Sequence, residues 1–332
     1  MKLYNIFLLF CFATILTSCG ISEPQMHYSA PFICVVNSDG TGFKKLLNLN
    51  EISLPFDTNR LFDLLVTKDE KLIFAADKYY ITDPDTIAPV PLIGFRPNIG
   101  VGMTLTSSNK AYFCSNGDLY KHDILTHTTV NLTEDINEYV GNPIISLDDN
   151  IITMYSVDQD SLIKHYLCYY KLDSDSLFLL PQAGNSIENG IYSSLDNRLY
   201  YEQHDGLYRI DLNGNNKQQL FQYSGDAYQS FGLNSKGDHI ITKNGQQVLN
   251  LYNIMNDSID YTQQLDYMSI LYKITRNANK VFYAFGGYIY VLDLDTHSTF
   301  QITDNNAGVE KVMCPSWDGT KIYFIANVRV SK

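Results

Sequence analysis

The sequence predicts an all-β fold, a seven-bladed β-propeller of four-stranded antiparallel blades. Three observations carry this. A polar turn running into an apolar strand recurs seven times. A Tyr-x-x-Asp signature recurs behind it at a fixed offset. The two chain ends supply complementary halves of one unit. A period of about 40 to 45 residues with several short strands per unit is that of a propeller blade.

The turn appears as Thr67-Lys-Asp-Glu-Lys-Leu-Ile-Phe74, Thr106-Ser-Ser-Asn-Lys-Ala-Tyr-Phe113 and Ser146-Leu-Asp-Asp-Asn-Ile-Ile-Thr153. It continues as Ser194-Leu-Asp-Asn-Arg-Leu-Tyr-Tyr201, Asn234-Ser-Lys-Gly-Asp-His-Ile-Ile241, Thr275-Arg-Asn-Ala-Asn-Lys-Val-Phe282 and Ser316-Trp-Asp-Gly-Thr-Lys-Ile-Tyr323. The starts lie 39, 40, 48, 40, 41 and 41 residues apart. The second signature follows at Tyr80/Asp83, Tyr120/Asp123, Tyr170/Asp173, Tyr208/Asp211 and Tyr290/Asp293. A sixth copy keeps Tyr252 with Met255 at the Asp place, and a seventh has Cys34 and Asn37. Each is followed by a polar turn and an apolar-alternating run such as Thr299 to Thr303, which reads as a strand.

The order within a unit is therefore strand A, polar turn, strand B, loop, strand C, turn, strand D. A short carboxylate at the end of strand C sets the turn by accepting backbone N–H groups. A tyrosine suits a half-buried strand position. Residues that recur in most blades belong to the scaffold, because a catalytic residue needs to occur once. The C-terminus supplies strands A and B, about Glu310 to Ala326, and the N-terminus supplies C and D, about Phe32 to Leu47. Joining them closes the ring without a free sheet edge, which favours seven blades over six or eight.

The N-terminus reads as an address. Met1-Lys2 precedes an apolar run from Leu3 to Leu16, too short for a membrane span and shaped like a secretion signal. It ends Leu16-Thr-Ser-Cys-Gly20, which resembles the bacterial lipobox, whose Cys is lipidated and becomes the mature N-terminus. The expected organisation is a signal peptide at 1–18, a lipid-anchored tether at 19–30 and one propeller at 31–332, held to a membrane through Cys19. Neither residue counted as the second after the Cys is Asp, so the outer membrane is implied for a Gram-negative source.

With Lys2 removed, 36 acidic residues face 23 basic ones, a mature net charge of 23 − 36 = −13. Such a chain repels phosphate backbones, which argues against nucleic acid as a partner. Four cysteines remain after Cys11 is cleaved and Cys19 lipidated: Cys34, Cys114, Cys168 and Cys314. All four read as buried free thiols. Cys34 and Cys314 share the composite blade, but strand B separates them beyond disulfide reach. No C-x-x-C, H-E-x-x-H, G-x-S-x-G, P-loop or G-x-G-x-x-G occurs, so no catalytic residue, metal or cofactor is assigned. His127 and His297 fall at equivalent C–D turns. Asp85-Thr-Ile, Asp160-Ser-Leu, Asp175-Ser-Leu and Asp257-Ser-Ile match a short O-glycosylation pattern of Bacteroidetes secreted proteins.

Function is expected where the repeat is broken, on the face carrying the D–A and B–C loops. The candidate ligand-face residues there are Arg60, Arg96, Glu138, Tyr139, Glu188, Tyr223 and Tyr228. Mixed charge with tyrosine suits a protein, peptide or glycan. Strand A starts such as Val101-Gly-Met103 and Pro143-Ile-Ile145 are mainly apolar, a poor cage for a hard cation.

Ser316-Trp-Asp-Gly-Thr-Lys-Ile-Tyr-Phe324 is similar to the Ser-Pro-Asp-Gly-x-x-Ile-x-Phe repeat of TolB-like propellers, with Trp317 where the family has Pro. Asn37-Ser-Asp-Gly-Thr-Gly-Phe-Lys-Lys-Leu46 resembles their C–D turn. The resemblance implies the fold and a bias toward binding. The expectation is a monomeric, lipid-anchored binding or scaffold propeller. The alternative is a propeller enzyme of lactonase, lyase or cyclase type, with its site at the central channel.

Overall fold

The structure, a computed structural model, describes residues 28–330 except 50–62, 76–77, 87, 94–101, 137, 158–164, 185–186, 204, 223–230, 244–247, 266–270 and 304–307. It is a seven-bladed propeller. Each blade is one four-stranded antiparallel sheet with strands in the order A-B-C-D. Blades 1 to 6 are continuous in sequence, and their A strands are Asp63–Val66, Met103–Leu105, Tyr139–Ile145, Ile187–Ser193, Phe231–Leu233 and Leu271–Ile274.

Blade 7 is composite, as its sequence halves predict. Strands A (Gly308–Pro315) and B (Lys321–Val330) come from the C-terminus, and C (Tyr28–Asn37) and D (Lys44–Asn48) from the N-terminus. The seam pairs Tyr28 with Val330 through to Asn37 with Lys321 without a break. Strand C thus begins at Tyr28, inside the segment read as tether. The signal segment and Cys19 lie outside the described residues.

The repeated turn has a physical cause. Its first residue is buried at the end of strand A, and Thr67, Ser146 and Ser316 are each 1 % exposed. The side-chain oxygen accepts the first N–H of strand B, at 2.9 Å from Lys71, 3.0 Å from Ile151 and 3.0 Å from Lys321. The same hydroxyl donates to the Asp two residues on, at 2.6 Å for Asp69, Asp148 and Asp318. A left-handed residue then closes the turn: Glu70, Asn109, Asp149, Asn197, Gly237 and Gly319. Asn and Gly tolerate that region best, which explains their recurrence. In blade 4 the buried position falls to Ser193, paired with Arg198, one residue before the Ser194 at which the sequence repeat was aligned.

The Tyr-x-x-Asp series resolves into two jobs. Tyr80, Tyr120, Tyr208 and Tyr290 stack on the aromatic residue opposite them on strand B. Ring centroids are 5.6 Å apart for Phe74, Phe113 and Tyr201, and 5.3 Å for Tyr283. Such cross-strand pairs are a unit of sheet stabilisation. The Asp accepts backbone N–H groups of the C–D turn, as Asp123 does from Leu125 and Thr126 at 3.0 and 3.1 Å. In blade 5 that role belongs to Asn253, which accepts from Met255 and Asn256, rather than to the Met255 position. Tyr170 and Tyr252 occupy a different column and bond the turn residues Asp175 and Asp257 through their hydroxyls. His127 and His297 are the left-handed residues of their C–D turns.

The core sits in the wedges between blades. Phe282 and Val291 of blade 6 pack with Phe324 and Cys34 of blade 7, and Cys114 of blade 2 with Met154 and Cys168 of blade 3. All four described thiols are free. Cys34, Cys114 and Cys168 are buried as expected, but Cys314 is only half-buried, because it faces the central channel.

Candidate functional site

The A strands line the channel, and the period of 2 along each strand sorts their residues into tiers. The residue two places before the buried turn position faces inward in every blade: Leu65, Thr104, Ile144, Ile191, Gly232, Lys273 and Cys314. All seven line one cavity of about 480 Å³. One tier further from the turns it is lined by Asp63, Gly102 and Asn142. One tier nearer, just past the buried turn residue, stand Arg276, Trp317 and Leu147.

That last tier stoppers the channel at the A–B end. Arg276 of blade 6 reaches across the axis. It donates to the carbonyl of Leu105 at 2.6 Å in blade 2, and to those of Ser146 and Leu147 at 2.9 and 3.2 Å in blade 3. It also pairs with the Asp149 carboxylate of blade 3. Its guanidinium lies 4.7 Å over the Trp317 ring of blade 7. The indole N–H of Trp317 donates to the Val66 carbonyl of blade 1 at 2.7 Å. Arginine suits this place because one planar group offers five donors and an aromatic-stacking face together.

Above the stopper the walls are mainly apolar: Leu65, Ile144, Ile191, Leu233 and Ile274. Lys273 is the sole charge in the middle tier. Its side chain is solvent-exposed, so the channel is wet, and it makes no ion pair among the described residues. Asp63 accepts the N–H groups of Leu64 and Met103 at 3.0 and 3.3 Å. Burial raises its carboxyl above the usual carboxylate range; the Lys273 ammonium and those two N–H groups draw it partly back. Burial pushes the Cys314 thiol up to about 12, with Lys273 lowering it and Asp63 raising it. A thiol so placed is not a thiolate nucleophile near neutrality. Among the described residues the channel thus offers the Lys273 ammonium, which makes no ion pair although the Asp63 carboxylate is near enough to feel it, an apolar wall and a floor formed by Arg276 and Trp317.

The residues expected on the ligand face fall elsewhere or outside the described region. Arg60, Arg96, Tyr223 and Tyr228 lie outside it, as does the Glu188 side chain. Tyr139 and Glu188 sit in strands rather than loops. Bulges between Gly141 and Ile144, and between Ile187 and Gly190, let strand A of blades 3 and 4 take up extra residues. Tyr139 leans on Gly117 at the B–C turn of blade 2, and the next N–H, of Val140, donates to the Gly117 carbonyl at 2.8 Å. Glu138 accepts the Ser156 hydroxyl at 2.8 Å. Neither of these two lines the channel cavity. Sequence reasoning missed Lys273, Asp63, Arg276 and Cys314. The signal was present as the single charge in an otherwise uncharged column two residues before the turn.

Two outcomes follow from this geometry. Arg276→Met leaves Asp149 without its cation and removes a charged donor from the carbonyls of Leu105, Ser146 and Leu147, of which Ser146 keeps the Asp149 N–H. Both partners are under 20 % exposed, at 17 % and 19 %. Urea unfolding should register a loss of about 2–4 kcal/mol, with Arg276→Lys recovering less than half, because an ammonium cannot span the same acceptors. For Asp63, a folded pKa above the unfolded value means the native state binds more protons between the two, so stability falls as pH rises through that window. Asp63→Asn should equal or exceed the wild type in stability at neutral pH, and the difference should vanish below about pH 4. Unfolding midpoints across that range check the sign.

No family model matches the chain, and no curated protein matches it in sequence. Among solved structures it is similar to an oligogalacturonate lyase in complex with manganese, with a TM-score of 0.61, 11 % identity, and 81 % of this chain and 89 % of that one covered. It is similar to an oligogalacturonate lyase from Vibrio parahaemolyticus at TM-score 0.60 and 13 % identity, over 89 % and 91 %. A putative TolB from Agrobacterium tumefaciens aligns at TM-score 0.50 and 12 % identity, over 91 % and 100 %. At these identities the likeness is one of fold. Among the described residues no three His, Cys, Asp or Glu side chains converge, so they provide no donor set for the manganese of that lyase. The chain thus shares the β-propeller fold of these proteins.

Proposed function

We propose that this chain is a lipid-anchored binding propeller of a bacterial envelope, tethered through Cys19, whose central channel receives a carboxylate-bearing segment of a peptide or protein partner. The observation that carries the reading is Lys273, a cation without an ion-pair partner among the described residues, set in an apolar-walled channel closed at its far end by Arg276 and Trp317. An unpaired ammonium beside apolar surface favours an anionic group with an apolar body. Entry is from the side of the D–A and B–C loops, since the A–B end is stoppered. The lipobox at Leu16 to Gly20 supports the envelope address.

The test is capture from detergent-solubilised envelope with the full-length chain and its Lys273→Glu variant. A specific partner recovered by the wild type should fall at least about tenfold with Lys273→Glu at an unchanged melting temperature. Recovery of nothing specific, or equal recovery by both, overturns the reading. Separately, Cys19→Ala should move the chain from the detergent phase to the aqueous phase in a phase-partition assay. A chain still held in the detergent phase contradicts the anchor.

A further inference from the structure

A second cavity, of about 220 Å³, lies in the wedge between blades 2 and 3, on the side of the A–B and C–D turns. It is separate from the channel, and its lining is mostly polar. Tyr112 is one of its lining residues. The residue as a whole is 3 % exposed, and its hydroxyl is not among the fully buried polar atoms that lack a partner, so it opens onto the cavity. Burial raises its phenol, and the nearby charges of Asp149 and Asp175 raise it further, to about 12. Neither carboxylate accepts its proton. A hydroxyl facing a cavity is completed by what fills the cavity, water or a ligand.

The remaining groups define what that can be. Lys110 and Lys121 line the cavity and form no ion pair among the described residues. Asp175, an exposed residue, accepts the Tyr170 hydroxyl on one oxygen, and its other oxygen faces no hydrogen-bond donor among the described residues. Asp149 holds Arg276 and Ser107. Two ammonium groups disfavour a simple cation, and two carboxylates disfavour a phosphate or sulfate. A neutral ligand that donates and accepts at several points satisfies both pairs. Leu132 and Leu172 add an apolar wall on which C–H groups can rest. The volume is below that of pockets for drug-sized ligands, about 300–1,000 Å³, and holds roughly seven waters at ~30 Å³ each.

We propose that this inter-blade pocket binds one neutral sugar residue, with hydroxyls donating to Asp175 and accepting from Lys110, Lys121 and Tyr112. Free monosaccharide and the terminal residue of a glycan share this chemistry.

Saturation-transfer NMR on the intact chain tests it, with D-glucose, D-galactose and N-acetyl-D-glucosamine as probes, each also as its methyl glycoside. At least one should bind saturably. Tyr112→Phe and Lys121→Met, each verified as folded by its melting temperature, should each weaken it about 3- to 10-fold. Methyl glycosides that bind as well as the free sugar assign the pocket to a glycan end; glycosides that fail assign it to free monosaccharide. The proposal is overturned if no probe saturates up to about 100 mM, the weak limit of specific binding. It is equally overturned if both variants bind unchanged, or if inorganic phosphate binds more tightly than every sugar.

Discussion

A single guanidinium crosses the axis of this ring and fixes its A–B end. Seven sheets arranged radially leave a hole that their own ladders cannot fill. Arg276 donates to the carbonyls of Leu105 in blade 2 and of Ser146 and Leu147 in blade 3, pairs with Asp149 and covers Trp317, which in turn holds Val66 of blade 1. Five of the seven blades therefore meet in one hydrogen-bonded cluster. Hydrogen bonds to a charged group contribute about 1.5–3 kcal/mol each, and desolvating the charge offsets part of that. The larger effect is geometric, since blades that share one rigid planar donor cannot slide independently.

The other polar ties between blades are of a different kind. Lys321 reaches Glu70 at 2.5 Å, Lys236 reaches Asp295 at 2.5 Å and Arg209 reaches Asp257 at 2.7 Å, each joining a blade only to its neighbour. The two lysine pairs are substantially exposed and so contribute little. Neighbouring blades are already held by the apolar wedges between them. What those wedges leave undetermined is how the hole is closed, and the A–B end is where this chain closes it. A closed floor turns a tunnel into a pocket with one approach. A group entering from that side passes the tier of Asp63, Gly102 and Asn142 before it reaches Lys273.

The turn chemistry, the four-strand order and the shared seventh blade were legible in the sequence because each rests on contacts within a few residues or on strict repetition. Thr67, Ser146 and Ser316 recur because one hydroxyl must both accept the Lys71-type N–H and donate to Asp69, Asp148 or Asp318. The tyrosine series was read correctly as scaffold, but strand register divides it into two columns and gives the Asp role in blade 5 to Asn253. The channel was less legible. Arg276 contacts Leu105 and Ser146 at separations of 171 and 130 residues, and no local pattern announces such a bond. Lys273 was within reach, because its column is set by the turn beside it, but the repeat is broken there within a strand and not in a loop. Bulges in blades 3 and 4 further hid that Tyr139 and Glu188 belong to strands.

The central claim is that Arg276 and Trp317 close the channel. Trp317 is the one tryptophan in the chain, so its fluorescence reports on that floor alone. Acrylamide quenching of the native wild-type protein measures its accessibility directly. A stoppered channel predicts a quenching constant several-fold below that of the urea-unfolded chain and a blue-shifted emission. Quenching equal to that of the unfolded chain would mean that the floor is open, and would contradict the account.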